Sequence, residues 1–359
     1  MQTQGTKLSF TGETIYVGID THKKNWRVAL YTDDIALKTF SQVPVPDKLV
    51  THLQKNYPGA NYICAYEAGF CGFWIQKDLV SKNIDCIVVN PADIPTTNKE
   101  KEFKTDPRDC RKIAQALRNN MLTPIYIPTD KNLACRSVVR LCNDGVKNQT
   151  RFKNKIKGLI NFYGIQFPDR FADSKTHWSN PFCQWLMQIE LNCAENTWAF
   201  RYYVEEYLRV KEQVKQLKKK VAELSKTPVF IKQVELLTSI PGIGNLTAMK
   251  LLTELGDIKR FQSLDQLCGY IGLVPTTKSS GEKEIIGDMT KRGNKHLKTA
   301  IIESAWSSIH YDPSMTNKYL QLVKRMDKNK AIVRIAKKLV ARIMFVLIKE
   351  QKYQVINNE

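Results

Sequence analysis

The sequence predicts an α/β domain at the N-terminus, followed by a mainly helical remainder. Strand-like and helix-like segments alternate over residues 14–119, which is typical of a sheet covered by helices. Beyond residue 128, apolar residues recur at helical spacing in segments rich in Lys and Arg. The chain has 359 residues, 43% of them hydrophobic, so it can bury the cores of two or three domains.

The N-terminal elements follow in the order three strands, helix, strand, helix, strand and helix. Apolar and β-branched runs predict the strands, and Leu and Val at helical spacing predict the first helix. The predicted strands are Thr14–Asp20, Trp26–Thr32, Ala36–Val43, Tyr62–Tyr66 and Asp85–Asn90, and the predicted helices are Asp47–Tyr57, Phe73–Lys82 and Asp106–Asn119.

The middle of the chain is predicted to be helical. Thr129 or Asp130 can cap a long basic helix running towards Tyr163, whereas residues 165–197 show no clear pattern. Heptad spacing then links Tyr203, Tyr207, Val210, Val214, Leu217, Val221 and Leu224. This helix either packs on its own domain or forms a coiled coil between subunits, and the sequence leaves both alternatives open. We divide the chain into residues 1–125, 126–228 and 229–359.

The last part of the chain contains a glycine-rich turn, Pro241-Gly-Ile-Gly244, between two predicted helices. It looks like a helix-hairpin-helix, in which Gly242 and Gly244 let backbone N–H groups approach phosphate without reading sequence. An ordinary turn between two helices is the alternative. The strong positive charge of the chain favours phosphate contact.

The composition indicates a polyanion as partner. Lys and Arg number 55 against 35 Asp and Glu, a formal net charge of +20, which is more than solubility requires. No uninterrupted apolar stretch is long enough to cross a bilayer, and no signal-peptide pattern opens the chain, so we expect no membrane partner and a cytoplasmic location. The nine Cys show no metal-binding spacing, and we expect buried free thiols.

Four carboxylates form one arrangement in the first third of the chain. Asp20 and Glu67 each end an apolar, strand-like run, and Asp106 and Asp109 lie three apart where a helix is predicted to begin. Hard divalent cations need several oxygen ligands, and Mg²⁺ is commonly shared between carboxylates and phosphate. Acids gathered in a basic protein therefore indicate metal-assisted chemistry on nucleic acid.

A pair of serines, Ser279 and Ser280, lies between Lys278 and Lys283 just before Gly281. Nearby cations favour a serine nucleophile, because they stabilise both an alkoxide and a phosphoryl transition state. Composition alone nevertheless favours an ordinary mobile loop here, since Ser-Ser-Gly is common in turns.

An ordered set of short motifs gives the chain a family resemblance. The motifs are Gly18-Ile-Asp-Thr-His-Lys23, Tyr66-Glu-Ala-Gly69, Val89-Asn-Pro91, Lys104-Thr-Asp-x-x-Asp109, Pro241-Gly-Ile-Gly244, Gly272-Leu-x-Pro275, Ser280-Gly281 and Lys291-Arg-Gly-Asn294. Together they resemble the DEDD-type insertion-sequence transposases, relatives of the pilin-gene invertase Piv that are known as bridge-RNA- or seek-RNA-guided recombinases. The resemblance spans roughly residues 14 to 350 but departs from the family at 165–200.

The resemblance implies a fold, a site and partners. The fold is RuvC-like, of the RNase H type, with Mg²⁺ or Mn²⁺ held by Asp20, Glu67, Asp106 and Asp109. Ser280 matches the family's nucleophile, and Ser279 is the alternative because the doublet leaves the register uncertain by one residue. The implied partners are donor and target DNA, a structured non-coding guide RNA, and further copies of the chain in a dimer or a tetramer built from two dimers. The implied setting is prokaryotic and nucleoid-associated.

These implications lead to an expected chemistry. Ser280 would replace the water of an ordinary RuvC nuclease and conserve the bond energy in a phosphoserine. Phosphate contacts are expected from Lys104, Lys278, Lys291 and Arg292, and His296 is a distant candidate for the general base. Two alternatives remain: a metal-dependent nuclease or Holliday-junction resolvase that uses water, and a non-catalytic nucleic-acid-binding scaffold.

Overall fold

The computed structural model of the protein describes residues 10–95, 106–280 and 283–355, and within these ranges it describes every side chain except those of 106–108, 277–280 and 283–286. The chain forms two compact units, Met1–Ile127 and Pro128–Glu359. A further division at residue 228 stays a prediction.

The first unit is built on a five-stranded mixed sheet. Its strands are β1 (Thr14–Thr21), β2 (Trp26–Tyr31), β3 (Ala36–Gln42), β4 (Asn61–Glu67) and β5 (Asp85–Val89), and its helices are α1 (Pro46–Asn56), α2 (Trp74–Ser81) and α3 (Asp106–Arg118). The strand order is β3-β2-β1-β4-β5. The first three strands are antiparallel, and β4 and β5 run parallel to β1. The order and type of all eight predicted elements are confirmed, and the topology is consistent with an RNase H-like DEDD fold.

The two faces of this sheet are covered by different helices. On β1, Ile15, Val17 and Ile19 pack in one cluster with side chains of α1 and α2. The other face packs on α3 through Cys110 and Ala114. Because successive strand residues point to opposite faces, Gly18 and Asp20 belong to the α3 face.

The second unit begins with two long helices that pack along each other, α4 (Asp130–Phe162) and α6 (Ala194–Ser225). A Cβ added to Gly145 of α4 would lie 3.1 Å from Cγ2 of Val214 and 3.4 Å from Cδ1 of Leu217. The heptad face of α6 is therefore packed on α4 of the same chain, which is the first of the two alternatives that the sequence left open. Between them lie α5 (Asn180–Gln188) and two short 3₁₀ turns.

The remaining elements form the largest hydrophobic core of the described residues. They are α7 (Ile231–Thr238), α8 (Asn245–Leu255), α9 (Leu264–Ile271), a hairpin of β6 (Pro275–Ser280) and β7 (Lys283–Met289), α10 (Lys295–Tyr311), α11 (Pro313–Val323) and α12 (Lys328–Lys349). Across the part of the chain that the structure describes, no helix is both long and apolar enough to cross a membrane. All nine Cys are free, and seven of them are buried, as predicted.

Candidate active site

Two of the predicted acids lie on neighbouring strands and on the same face of the sheet. Gly18 of β1 is paired with Ala65 of β4, and the two strands are parallel. Ala65 packs in the cluster that contains Ile113 of α3. Asp20 and Glu67 each follow this pair by two residues, so both carboxylates project from the α3 face at the carboxyl ends of adjacent strands.

The helix α3 is brought onto this face by Gly18. A Cβ at Gly18 would lie 2.1 Å from the carbonyl oxygen of Cys110 and 2.5 Å from the backbone nitrogen of Ala114. Only glycine permits a backbone approach this close. The contact places Asp109, which directly precedes Cys110, beside the strand that carries Asp20.

The direction of α3 brings its first turn to the acid end of the sheet. Further along the helix, Nε2 of Gln115 donates a hydrogen bond of 3.3 Å to the hydroxyl of Tyr31, whose partner on β1 is Tyr16 near the start of that strand. The helix therefore runs antiparallel to β1. Burial, followed by the Asp20 carboxylate, raises the pKa of the Cys110 thiol to about 11, which shows that Asp20 is electrostatically close to the start of α3.

The surroundings of these carboxylates are polar and partly open. Oδ2 of Asp20 lies 3.1 Å from Nε2 of His22, and Asp20 is 19% exposed. Oδ1 of Asp109 lies 4.0 Å from Nζ of Lys112. Asp106 belongs to the first turn of α3, but its side chain lies outside the described residues, as does all of Lys104.

The predicted donor set consists of carboxylates only, and carboxylate oxygens are ligands that suit a hard divalent cation. Among the side chains that the structure describes, no three His, Cys, Asp or Glu already enclose a metal position. A metal site formed by Asp20, Glu67, Asp106 and Asp109 stays a prediction.

The predicted serine loop is instead the end of a β-strand. Ser279 is paired with Glu284 and Ser280 with Lys283, so Ser280 is the last residue of β6 before a two-residue connection. The expectation of a mobile loop was wrong because Thr277 and Lys278 find Ile286 and Ile285 as strand partners. The side chains of Lys278, Ser279 and Ser280 are not among those that the structure describes.

The base of this hairpin is closed by two glycines. A Cβ at Gly293, where φ is +119°, would lie 2.6 Å from Cα of Gly272, where φ is +88°. Both conformations favour glycine. Two backbone hydrogen bonds also join the two sides of the hairpin base. The amide of Thr290 donates to the carbonyl oxygen of Val274 at 2.9 Å, and the amide of Asn294 donates to that of Tyr270 at 3.0 Å.

A buried carboxylate anchors the same region. Glu254 of α8 is 2% exposed and accepts hydrogen bonds of 2.6 and 2.8 Å from the guanidinium of Arg140, and one of 2.8 Å from Nδ2 of Asn294. Oδ1 of Asn294 in turn accepts hydrogen bonds from the first amides of α10. Burial alone would raise the pKa of Glu254, but the hydrogen bonds from Arg140 and Asn294 outweigh it and the pKa is lowered.

Sequence reasoning missed this ion network. The signal that was available is a lone carboxylate within the apolar stretch Leu251-Leu-Thr-Glu-Leu255. Its partners lie 114 and 40 residues away in the chain, and no local pattern connects them.

The glycine-rich turn gives its two glycines different surroundings. A Cβ at Gly242, where φ is +91°, would lie 2.6 Å from the carbonyl oxygen of Ser304 and 2.8 Å from the nitrogen of Ser308, both in α10. Gly242 therefore serves close packing of the turn on a helix. Gly244 is exposed at the start of α8, and a Cβ there would meet nothing within 4 Å. Phosphate contact remains a prediction, and Gly244 has the more open position for it.

Two models of transposase families match the region of the acids and the region of the serine hairpin. A DEDD transposase model of the IS110 type matches residues 17–165, which include the four acids, and a model described as the transposase IS116/IS110/IS902 family matches residues 234–320, which include the serine hairpin. The chain belongs to the IS110 family of transposases. Residues 166–233 of this IS110-family chain are matched by neither model.

Similar proteins extend the match along most of the chain. The transposase for insertion sequence element IS1111A of Coxiella burnetii is 28% identical over 351 residues, 94% of this chain and 87% of that protein. The transposase for insertion sequence element IS1533 of Leptospira borgpetersenii is 24% identical over 342 residues, 92% and 94% of the two chains. A presumed transposase of Sinorhizobium fredii, y4qE, is 29% identical over 259 residues, and the match spans 72% of this chain but only 61% of that protein.

The remaining predicted residues of the IS110-family chain lie near the hairpin base. Lys291 and Arg292 are exposed and follow β7. His296 is partly buried in the first turn of α10. Burial lowers the pKa of His296, Glu254 opposes the shift and Arg140 adds to it, so the imidazole is neutral near neutral pH. A neutral imidazole is able to accept a proton.

Proposed function

We propose that this IS110-family transposase cuts and rejoins DNA through a covalent bond to Ser280, assisted by a divalent metal ion held by Asp20, Glu67, Asp106 and Asp109. The observation that supports the proposal is the contact of α3 with Gly18, which brings the start of α3, with Asp109, beside the strand that carries Asp20. A basic chain with acids gathered at one edge matches the needs of phosphoryl transfer.

The covalent step exchanges one phosphate ester for another. The Oγ of Ser280 attacks a backbone phosphorus, an Oγ–P bond forms, the P–O bond to one sugar breaks, and the released sugar oxygen takes a proton. Attack by a hydroxyl of a second strand reverses the exchange and restores the serine. Bond energy is conserved, so no nucleotide cofactor is needed.

The acids and cations of the chain divide the remaining work. Bound Mg²⁺ or Mn²⁺ would polarise the scissile phosphate and neutralise developing charge. The ammonium of Lys112, at 4.0 Å from Asp109, would partly balance the mutual repulsion of the carboxylates, and Nε2 of His22 lies at hydrogen-bond distance, 3.1 Å, from Asp20. Lys104, Lys278, Lys291 and Arg292 would contact backbone phosphates.

Guide RNA, DNA partners and assembly belong to the same proposal. The net charge of +20 provides affinity for phosphates but little sequence information. Base pairing to a protein-bound RNA supplies the missing specificity for donor and target DNA. The active form would be a dimer or a tetramer that works on cytoplasmic, nucleoid-associated DNA.

The covalent bond is tested with a suicide DNA substrate that carries a nick beside the cleavage point. We expect a protein–DNA adduct with the parent and with Ser279→Ala, and none with Ser280→Ala. An adduct that survives Ser280→Ala but not Ser279→Ala moves the nucleophile by one residue. Hydrolysed ends without any adduct would establish the water-using nuclease instead.

Guidance by RNA is tested separately with RNase-treated protein, donor and target DNA. We expect site-specific recombination only when RNA transcribed from the flank of the element is added back. Rewriting the loop of the RNA that pairs with the target should redirect insertion. Efficient and site-specific recombination without RNA would refute guidance and leave the chemistry of Ser280 untouched.

A further inference from the structure

The middle segment of the chain builds a groove that no part of the proposed reaction uses. The segment between α4 and α6 folds back over both helices and buries aromatic side chains, among them Phe171, Phe182 and Tyr207. Beside this cluster, a groove of about 580 Å³ is lined by the polar residues Gln149, Asn180, Lys211, Glu212, Lys215 and Lys218 and by the apolar residues Leu208 and Val214. We call it the lysine groove.

Positive charge dominates the lysine groove. Lys211, Lys215 and Lys218 occur at spacings of four and three on α6 and so share one face of the helix. Glu212 is the one acid among the lining residues, and it lies 3.7 Å from Lys215 in an exposed pair of little strength. The groove therefore keeps a net positive charge.

A fourth lysine adds to this charge from α4. The ammonium of Lys153 lies 5.3 Å from the ring centroid of Trp178 and 5.9 Å from that of Tyr207. Burial lowers the pKa of Lys153, and repulsion from Lys211 lowers it further. A bound anion would relieve this repulsion.

A residue in an unusual backbone conformation contacts Lys211 beside the groove. Trp178 has φ +69°, a region that bulky side chains rarely adopt. Its carbonyl oxygen accepts a hydrogen bond of 3.0 Å from Nζ of Lys211, and its ring packs 4.8 Å from that of Tyr207. A residue keeps such a strained conformation only where many surrounding contacts hold it, and such residues cluster at binding sites.

We propose that the lysine groove binds backbone phosphates of a nucleic acid. Lysine ammonium groups act as point charges for phosphate oxygens, and the side-chain amides of Gln149 and Asn180 offer hydrogen bonds at the same surface. No arginine lines the groove to form a fork for a guanine edge, so contact is with the backbone and not with the base sequence. The inference rests on the proposed function only in taking nucleic acid as the ligand.

The test compares two double variants that remove the same charge. Lys215→Gln with Lys218→Gln alters the groove but leaves Lys211 and Trp178 in place. The control, Lys48→Gln with Lys55→Gln, alters exposed lysines of α1. Affinity is measured by fluorescence anisotropy between 50 and 200 mM salt, with a 30-base-pair DNA duplex in one arm and an RNA transcript of the element's flank in the other.

For the groove variant we expect the slope of log affinity against log salt concentration to become shallower by about 0.9 for each lost phosphate contact on duplex DNA. On the RNA transcript the slope should become shallower as well. The control should keep the parent slope. A change confined to one arm assigns the groove to that nucleic acid, and equal slopes for the two variants in both arms overturn the proposal. Because binding is measured without cleavage and repeated with Ser280→Ala, failure of the adduct experiment does not affect this result.

Discussion

The acids of the first unit and the serine of the second are positioned by contacts of different kinds. In the first unit a helix backbone lies directly on a strand at Gly18, and the acids follow from strand pairing and helix direction. In the second unit Ser280 lies at the free end of a two-stranded hairpin, and the tie is at its base, through Gly272, Gly293 and the ion network of Glu254. A close backbone contact positions Asp109 beside the strand of Asp20, whereas a buried charge stabilises the base of the serine hairpin.

The sharpest way to separate the two regions is to remove one acid. Asp109→Asn should reduce DNA cleavage about a thousandfold, because a metal ion typically supplies several kcal/mol of charge stabilisation in the transition state. Nucleic-acid binding should change little. Single-turnover cleavage of a labelled substrate measures the first quantity and anisotropy the second.

The matched control is Asp34→Asn, which removes an exposed carboxylate from the same unit. Equal loss of cleavage in both variants, or a loss of binding with Asp109→Asn, would show that Asp109 has no specific part in the chemistry.

The role of the buried Glu254 carboxylate in stabilising the base of the hairpin is tested with Glu254→Ala. The change leaves the guanidinium of Arg140 and the amide of Asn294 without their shared partner, and we expect the free energy of unfolding to fall by about 3 kcal/mol. Chemical denaturation followed by circular dichroism measures the change. Glu235→Ala is the control, since Glu235 is 59% exposed in a surface pair with Lys352, 3.8 Å away, and should lose less than about 1 kcal/mol. A loss as small as that of the control would contradict the anchoring role.

The packing that places the acids is tested with Gly18→Ala. The added methyl group would overlap the backbone of α3, so α3 must move away from the strand, at about 1–3 kcal/mol of stability. Cleavage should fall as well, because Asp109 moves with the helix. Gly158→Ala is a control of opposite sign, since its Cβ would meet nothing within 4 Å and alanine stabilises a helix by about 1 kcal/mol. Unchanged stability and cleavage in Gly18→Ala would refute the close contact.

The smallest expected effect is a pH dependence of the ion network. The pKa of Glu254 is lowered in the folded state, so its contribution to stability is present above the unfolded pKa of about 4.3 and is lost as pH falls through the lower folded value. The difference in melting temperature between the parent and Glu254→Gln should therefore shrink below about pH 4. A constant difference from pH 7 to pH 3 would show that the charge of Glu254 is not what matters.

Local sequence patterns predict part of the candidate site, and contacts between distant residues determine the rest. The β1 and β4 runs ending at Asp20 and Glu67 are local patterns, so strand periodicity predicted them. The need for glycine at position 18 comes from Cys110, 92 residues further on, and no local signal shows it. The sequence predicted a loop at Ser280 because Ser-Ser-Gly is typical of turns, and this pattern gives no sign that β6 pairs with β7.

Localised iron cleavage shows whether the four acids of the first unit form one metal-binding face. Fe²⁺ in place of Mg²⁺, with ascorbate and peroxide, cuts the backbone close to where it is bound. We expect cuts near residue 20, near residue 67 and at the start of α3, all suppressed by excess Mg²⁺ and lost in Asp109→Asn but kept in Asp34→Asn. Cuts at only one of these segments, or the same cuts in Asp109→Asn, would contradict a single metal-binding face.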